Sequence, residues 1–146
     1  TVEHLRIDLA SVVDMALVRL NRRFADLGVM LEPDIAAPAL AVLADPKQLT
    51  RLIVFMLQRV IEIAGHGAHL ALVLRRDGRH ATLRITLRAA NETIVRDFAA
   101  IASLLSDPAA VHVADAALHD IVSRHDISVV ADGAAIVLSL PLAPAL

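Results

Sequence analysis

The chain has 146 residues with a formal net charge of −2, and 57% of the residues are hydrophobic, which suits one domain with a substantial core. The near-neutral charge argues against a nucleic-acid partner, and the lack of Cys excludes disulfides, thiolate metal sites and cysteine nucleophiles. The most apolar stretch, residues 49–64, is interrupted by Arg51, Arg59 and Glu62 and is too short to span a bilayer. We therefore expect a cytoplasmic domain that contacts neither nucleic acid nor membrane.

The first helix is predicted from apolar residues that recur at three- and four-residue spacing. These residues are Leu9, Val12, Val13, Ala16, Leu17, Leu20, Phe24 and Leu27. Asp8 is suited to cap the start of this helix, and Gly28 follows its last apolar position. A short edge strand over 3–7 is expected before it. Strands over 29–31 and 40–43 are expected after it, separated by a loop whose two prolines keep it from becoming helical.

A second helix is predicted to begin at Asp45-Pro46, because Asp is a preferred cap and Pro is favoured in the first turn. Gly65 is expected to end it. Its buried stripe is predicted to consist of Leu49, Leu52, Ile53, Met56, Leu57, Val60, Ile61 and Ala64.

Two Asp-Gly turns predict two β-hairpins. The hairpins are 69–75 with 80–88 around Asp77-Gly78, and 127–131 with 135–140 around Asp132-Gly133. Apolar and polar residues alternate along 80–88, so one face of the sheet is expected to be solvated.

Helices over 93–105 and 113–125 are predicted between the hairpins. The inward positions of the first are expected to be Ile94, Val95, Phe98, Ile101, Ala102 and Leu105. If these side chains are not buried in the domain, they form a docking surface instead.

This element order predicts an α+β two-layer sandwich, in which helices cover one face of a mixed β-sheet. The order and four local strings resemble the catalytic ATP-binding domain of histidine kinases, in the GHKL or Bergerat superfamily, over almost the whole chain. The strings are Ile7-Asp8-Leu9, Asp45-Pro46-Lys47-Gln48-Leu49-Thr50-Arg51-Leu52, Ile121-Val122 followed by His125, and Leu138-Ser139-Leu140-Pro141-Leu142. Each string is weak alone, and their order and spacing together carry the resemblance.

The resemblance places the family's N-x-x-x-N motif on the second helix, where one Asn supports Mg²⁺. Counted from Asp45, these positions hold Phe55 and Arg59. Phe has no oxygen to offer, and a guanidinium repels a divalent cation. We therefore expect no metal site here. Phe55 is expected to fill the former pocket, and burial of its ring would contribute roughly 1.5–3 kcal/mol.

The family's D-x-G-x-G motif should follow the first hairpin, and its Asp receives the adenine amino group. The matching segment is Ala89-Ala90-Asn91-Glu92-Thr93, so positions Ala89, Asn91 and Thr93 are degenerate. The family's Gly-rich lid is missing too, because no Gly occurs between Gly78 and Gly133. Without glycines a backbone phosphate cradle is hard to form, so no nucleotide cofactor is expected.

The resemblance therefore implies a pseudo-ATPase domain without catalytic residues, acting in two-component signalling by protein contact or in support of phosphotransfer. The longer protein that contains this domain would be a histidine kinase or a histidine phosphotransferase. Its partner would be a response-regulator receiver domain. A homodimer formed through a helical hairpin preceding Thr1 is left open. The alternative is the ATP-binding catalytic domain of a sensor histidine kinase with a divergent nucleotide site. Arg59 is left either as an anion contact or as a charge that is solvated or paired with Glu62 or Asp45.

The seven His residues do not strengthen a metal or phosphotransfer reading. His66, His69, His80, His112, His119 and His125 lack ligand-like spacing. His4 lacks the H-E or H-D motif expected of a phosphoacceptor. Surface or structural roles are expected for them.

Overall fold

The computed structural model describes residues 4–35, 40–106 and 116–144. Its strands and helices follow one another in the predicted order. They are β1 (Leu5–Asp8), α1 (Leu9–Asp26), β2 (Met30–Ile35), β3 (Ala41–Ala44), α2 (Pro46–Ala64), β4 (His69–Asp77), β5 (His80–Leu87), α3 (Glu92–Ser106), α4 (Ala116–Arg124), β6 (Ser128–Asp132) and β7 (Ala135–Pro141).

The main sheet has five strands in the order β2-β4-β5-β7-β6. Strand β2 runs parallel to β4, and the other neighbours are antiparallel. Strands β1 and β3 form a separate antiparallel pair. An antiparallel bridge between Val42 and Leu142 joins this pair to the end of β7. The sheet is therefore mixed, as predicted.

One face of the sheet packs against the helices. In β5, Ala81, Leu83 and Ile85 are fully buried, whereas Arg84 between them is exposed. A single hydrophobic cluster joins these inward residues to the buried sides of all four helices. The α+β two-layer sandwich is confirmed.

Two aspartates set the positions of the first two helices. Asp8 Oδ1 accepts hydrogen bonds from the backbone N–H groups of Ala10, at 3.1 Å, and Leu40, at 3.2 Å. Asp45 Oδ1 accepts from those of Lys47 and Gln48, at 3.0 and 3.2 Å. Both carboxylates satisfy N–H groups that a helix start leaves unpaired, so both predicted caps are confirmed.

The structure corrects the predicted extent of β2, which runs to Ile35 and includes Pro33. Pro lacks a backbone donor and is tolerated here because β2 is an edge strand of the sheet. The pairing of β2 with β4, with Pro33 opposite Leu72, lengthens the strand beyond what local sequence indicates.

Helix α3 is packed into the core, as the first of its two readings predicted. Phe98, Ile101 and Leu105 are 0–3% exposed, and Ile94 is partly buried. The prediction for Val95 was wrong, because this residue is 36% exposed on the outer side of the helix. Residues 113–115 of the last predicted helix lie outside the described residues, and α4 covers the remainder to Arg124. Within the described ranges, no helix combines the length and apolar character needed to cross a membrane.

Candidate functional site

The two α2 positions singled out from the sequence lie one turn apart on the helix. The ring of Phe55 is partly buried and packs against the hydrophobic core. Arg59 is exposed, and its Nη1 lies 3.0 Å from Glu62 Oε2. Glu62 Oε1 also lies 3.8 Å from Arg23 Nη2. Of the alternatives for Arg59, the structure therefore shows the pair with Glu62.

The other three predicted positions lie in the link between β5 and α3, which holds Ala89 and Asn91, and in the first turn of α3, which holds Thr93. Ala89 has a φ of +58°, a left-handed conformation that non-glycine residues seldom adopt. Asn91 Oδ1 accepts a hydrogen bond from the backbone N–H of Ile94 at 3.0 Å, so Asn91 caps α3. Thr93 is exposed in the first turn of that helix. The sequence prediction missed this cap, although an Asn directly before a helical apolar pattern was its signal.

A polar cluster that the sequence prediction missed lies beside this link. Glu32 Oε1 accepts from His69 Nε2 at 2.7 Å, and Glu32 Oε2 accepts from Arg88 Nη2 at 2.7 Å. The hydrogen bond from His69 holds the pKa of Glu32 below its usual value, and the charge of Arg88 acts in the same direction. Loss of water around the carboxylate opposes this lowering. Glu32 lies in β2, His69 lies in β4 and Arg88 directly follows β5, so only the folded sheet brings them together.

A second missed arrangement surrounds His125, whose side chain is 5% exposed. Its Nε2 accepts a hydrogen bond from the backbone N–H of Asp45 at 3.0 Å, and its Nδ1 lies 2.8 Å from the carbonyl of Ile121. A backbone N–H can only donate and a carbonyl can only accept, so the ring is neutral with its proton on Nδ1. The ring of His4 stacks on it at 4.8 Å. The ring of His125 thus joins the end of α4 to the start of α2.

Surface cavities lie elsewhere among the described residues. One, of about 200 Å³, lies between the starts of α1 and α2. Another, of about 380 Å³, lies beside Ser106, His119 and Val129. Neither is lined by the five positions predicted as a degenerate nucleotide site.

The described parts of the chain contain no cluster of side chains suited to bind a metal ion. Within them, no three His, Asp or Glu side chains gather closely enough to hold an ion. Of the histidines, His69 binds Glu32 and His125 is a buried structural residue, whereas His112 lies outside the described residues.

The predicted site residues fall into two groups, one on α2 and one on the β5–α3 link and the first turn of α3. Helix α3 packs against α2, so both groups lie near the same pair of helices. Among the described residues no hydrogen bond or ion pair joins the two groups, and each group is engaged with its own neighbours.

Comparison with known proteins relates the chain to solved structures. No protein-family model matches it, and a comparison with curated proteins found no match. It is similar to the catalytic domain of histidine kinase ThkA, with a TM-score of 0.74 and 13% identity over 98% of this chain and 99% of that one. It is also similar to mycobacterial sensor histidine kinase MprB, with a TM-score of 0.67 and 20% identity over 97% and 99% of the two chains. A third similar structure is ThkA in complex with response regulator protein TrrA, with a TM-score of 0.73 and 12% identity over 98% of this chain and 43% of that one. At such identities the likeness concerns the fold.

Proposed function

We propose that this chain, which has the fold of histidine kinase catalytic domains, acts in two-component signalling by protein contact and does not bind a magnesium-nucleotide. The observation that carries the proposal is the state of Arg59. Its guanidinium occupies the position where the resemblance places a Mg²⁺-supporting Asn, and it is already paired with Glu62 at 3.0 Å. The fold therefore carries a cation-repelling guanidinium at the position where the resemblance places a group that supports a cation.

The charges on α2 support the absence of a metal. Mg²⁺ requires oxygen ligands in near-octahedral geometry, and a guanidinium has only donors and a positive charge. Phe55, one turn earlier, offers a ring that packs on the core. The carboxylate of Glu62 is the nearby anionic group, and both of its oxygens face arginines. It is therefore poorly placed to hold a cation.

The β5–α3 link supports the absence of adenine recognition. Ala89 has no side-chain acceptor where the resemblance places the Asp that receives the adenine amino group. The carboxamide oxygen of Asn91 accepts from the N–H of Ile94 and stabilises the start of α3. Since Phe98 and Leu105 anchor this helix in the core, it is suited to a fixed structural role.

The proposed partner is a response-regulator receiver domain. The similar structure of ThkA is a complex with a response regulator protein, which is a property of that kinase. For this chain the proposal adds a cytoplasmic setting and a homodimer formed through a helical hairpin outside the sequence described. The domain would position the receiver while phosphotransfer takes place on that hairpin.

Isothermal titration calorimetry with ATP and Mg²⁺ tests the nucleotide part. We expect no saturable heat up to about millimolar ligand, the concentration range of a binding free energy near −4 kcal/mol. A histidine kinase catalytic domain that binds ATP serves as the positive control under the same conditions. Saturable micromolar binding by this chain would sink the proposal and favour the divergent-site alternative.

A double variant, Phe55→Asn with Arg59→Asn, separates the contribution of α2 from that of the β5–α3 link. It restores the amide groups on α2 but leaves Ala89 and Asn91 unchanged. We expect it to remain unable to bind, because adenine recognition would still be missing. A large gain in ATP affinity would mean that the link does not contribute to the loss.

Binding to candidate receiver domains tests the protein-contact part independently. Biolayer interferometry with the folded domain should give saturable, reversible binding to a cognate receiver. A surface-charge-reversed receiver is the control for non-specific attraction. If no receiver binds, the proposed signalling role is wrong, even if the domain also fails to bind nucleotide.

A further inference from the structure

The cavity between the starts of α1 and α2 has the features of a ligand site. Its volume is about 200 Å³, and its walls are mostly apolar. The lining residues are Ile7, Asp8, Ser11, Val12, Met15, Arg19, Pro46, Lys47 and Thr50. Met15 is 54% exposed there although it is a large apolar side chain. A ligand that covered this side chain would remove apolar surface from water.

The charges around the cavity favour an anion. Arg19 and Lys47 both line it, and none of the ion pairs among the described residues includes either of them. The one acid in the lining is Asp8, whose Oδ1 accepts from the N–H groups of Ala10 and Leu40. The lining therefore carries two positive charges and one negative charge. The negative charge, on Asp8, already accepts hydrogen bonds from the backbone.

We propose that this cavity binds a small carboxylate with a short apolar chain. The carboxylate would lie between Arg19 and Lys47. The first N–H groups of α2 are already capped by Asp45, so the two side-chain cations supply the attraction. The chain would lie against Val12 and Met15. A volume of about 200 Å³ is below the roughly 300–1,000 Å³ of sites for drug-sized ligands, which favours a small ligand.

Octanoate is a suitable probe because it pairs one carboxylate with a short alkyl chain. Calorimetric titration of the full 146-residue chain should show saturable binding with a dissociation constant in the millimolar range, as expected for so small a ligand. Octan-1-ol, which has the same chain without the charge, should bind at least about threefold more weakly, because an exposed charge contact contributes modestly.

Three variants locate the site. Arg19→Gln and Lys47→Gln should each weaken octanoate binding by about threefold, the scale of one exposed ion pair. Arg22→Gln, on the same helix but outside the lining, is the matched control and should leave binding unchanged. Ser11→Phe should abolish binding, since Ser11 is exposed at the cavity and a ring there would fill it. Far-UV circular dichroism confirms that each variant is folded.

Several results would overturn the proposal. Absence of saturable octanoate binding would do so, as would equal affinity for octan-1-ol. Binding that survives Ser11→Phe in a folded variant would place the ligand elsewhere. Sedimentation velocity should show a monomer at the titration concentration. Self-association that Ser11→Phe prevents would mean that a second copy of the chain covers the cavity.

Discussion

Acidification should lower the free energy of unfolding through His125. The neutral ring of this residue makes hydrogen bonds to Ile121 of α4 and to Asp45 at the start of α2. Protonation would place a hydrogen on Nε2, which now accepts from the N–H of Asp45 at 3.0 Å, and that bond would be lost. Burial of the ring lowers the pKa of His125 below its ordinary value of 6.5. The charge of His4 also lowers this pKa. The hydrogen bond to Ile121 and the carboxylate of Asp45 act in the opposite direction and raise it.

The direction of the pH dependence follows from proton linkage. Above the unfolded-state pKa, near 6.5, the ring is neutral in both states and imposes no penalty. As the pH falls below that value, the unfolded chain takes up a proton that the folded chain excludes, so the free energy of unfolding decreases. The steepest possible loss from one such group is about 1.4 kcal/mol per pH unit, and the loss ends once the pH passes below the folded-state pKa.

Urea denaturation followed by circular dichroism, at several values between about pH 8 and pH 5, measures this loss. His125→Gln should be less stable at neutral pH by about 1–3 kcal/mol. The backbone N–H of Asp45 loses its acceptor, and the carbonyl of Ile121 keeps only the backbone N–H of residue 125 as a donor. The same variant should lose much of the pH dependence over this range. His66→Gln, at an exposed histidine, should behave like the parent chain. A parent-like slope in His125→Gln would refute the reasoning.

Three further outcomes test local features of the fold. The carboxyl of Glu32 should titrate below 4.5 by carbon-13 NMR, and His69→Gln should move its midpoint upward; an unmoved midpoint would remove His69 as the cause. Phe98→Ala should lower the free energy of unfolding by about 3–5 kcal/mol and Val95→Ala, at a 36% exposed position, by about 0.5 kcal/mol or less, and similar losses in urea denaturation would contradict the burial of α3. Asn91→Ala should cost about 1 kcal/mol while Asn91→Asp retains most of the stability, and equal losses would show that the cap oxygen is not what matters.

Local sequence signals predicted much of the fold because the elements are marked by their own residues. Asp45-Pro46 and Gly65 bracket α2, and the turn at Gly78, with a φ of +61°, joins β4 to β5 as its Asp-Gly pair indicated. Pairing between distant strands carries no such local mark. The parallel contact of β2 with β4, which extends β2 across Pro33, therefore emerged only from the folded sheet.

The candidate site was less predictable than the fold. The resemblance pointed to Phe55, Arg59 and the β5–α3 link, but the partners of these residues depend on side-chain geometry. The cap made by Asn91 was readable from its place before a helix. The joining of His125 to Asp45 was not, because it links residues 80 positions apart in the chain.

A titration of the nitrogen-15-labelled domain with Mg²⁺ and ADP, followed by NMR, tests the central claim most directly. The amide signals of residues 55, 59 and 89–93 report on both groups of positions that are proposed to have lost nucleotide binding. The account predicts that these signals do not move saturably up to about millimolar nucleotide. Saturable shifts of the α2 and link amides together, at micromolar nucleotide, would show that nucleotide binds at these positions and would contradict the account.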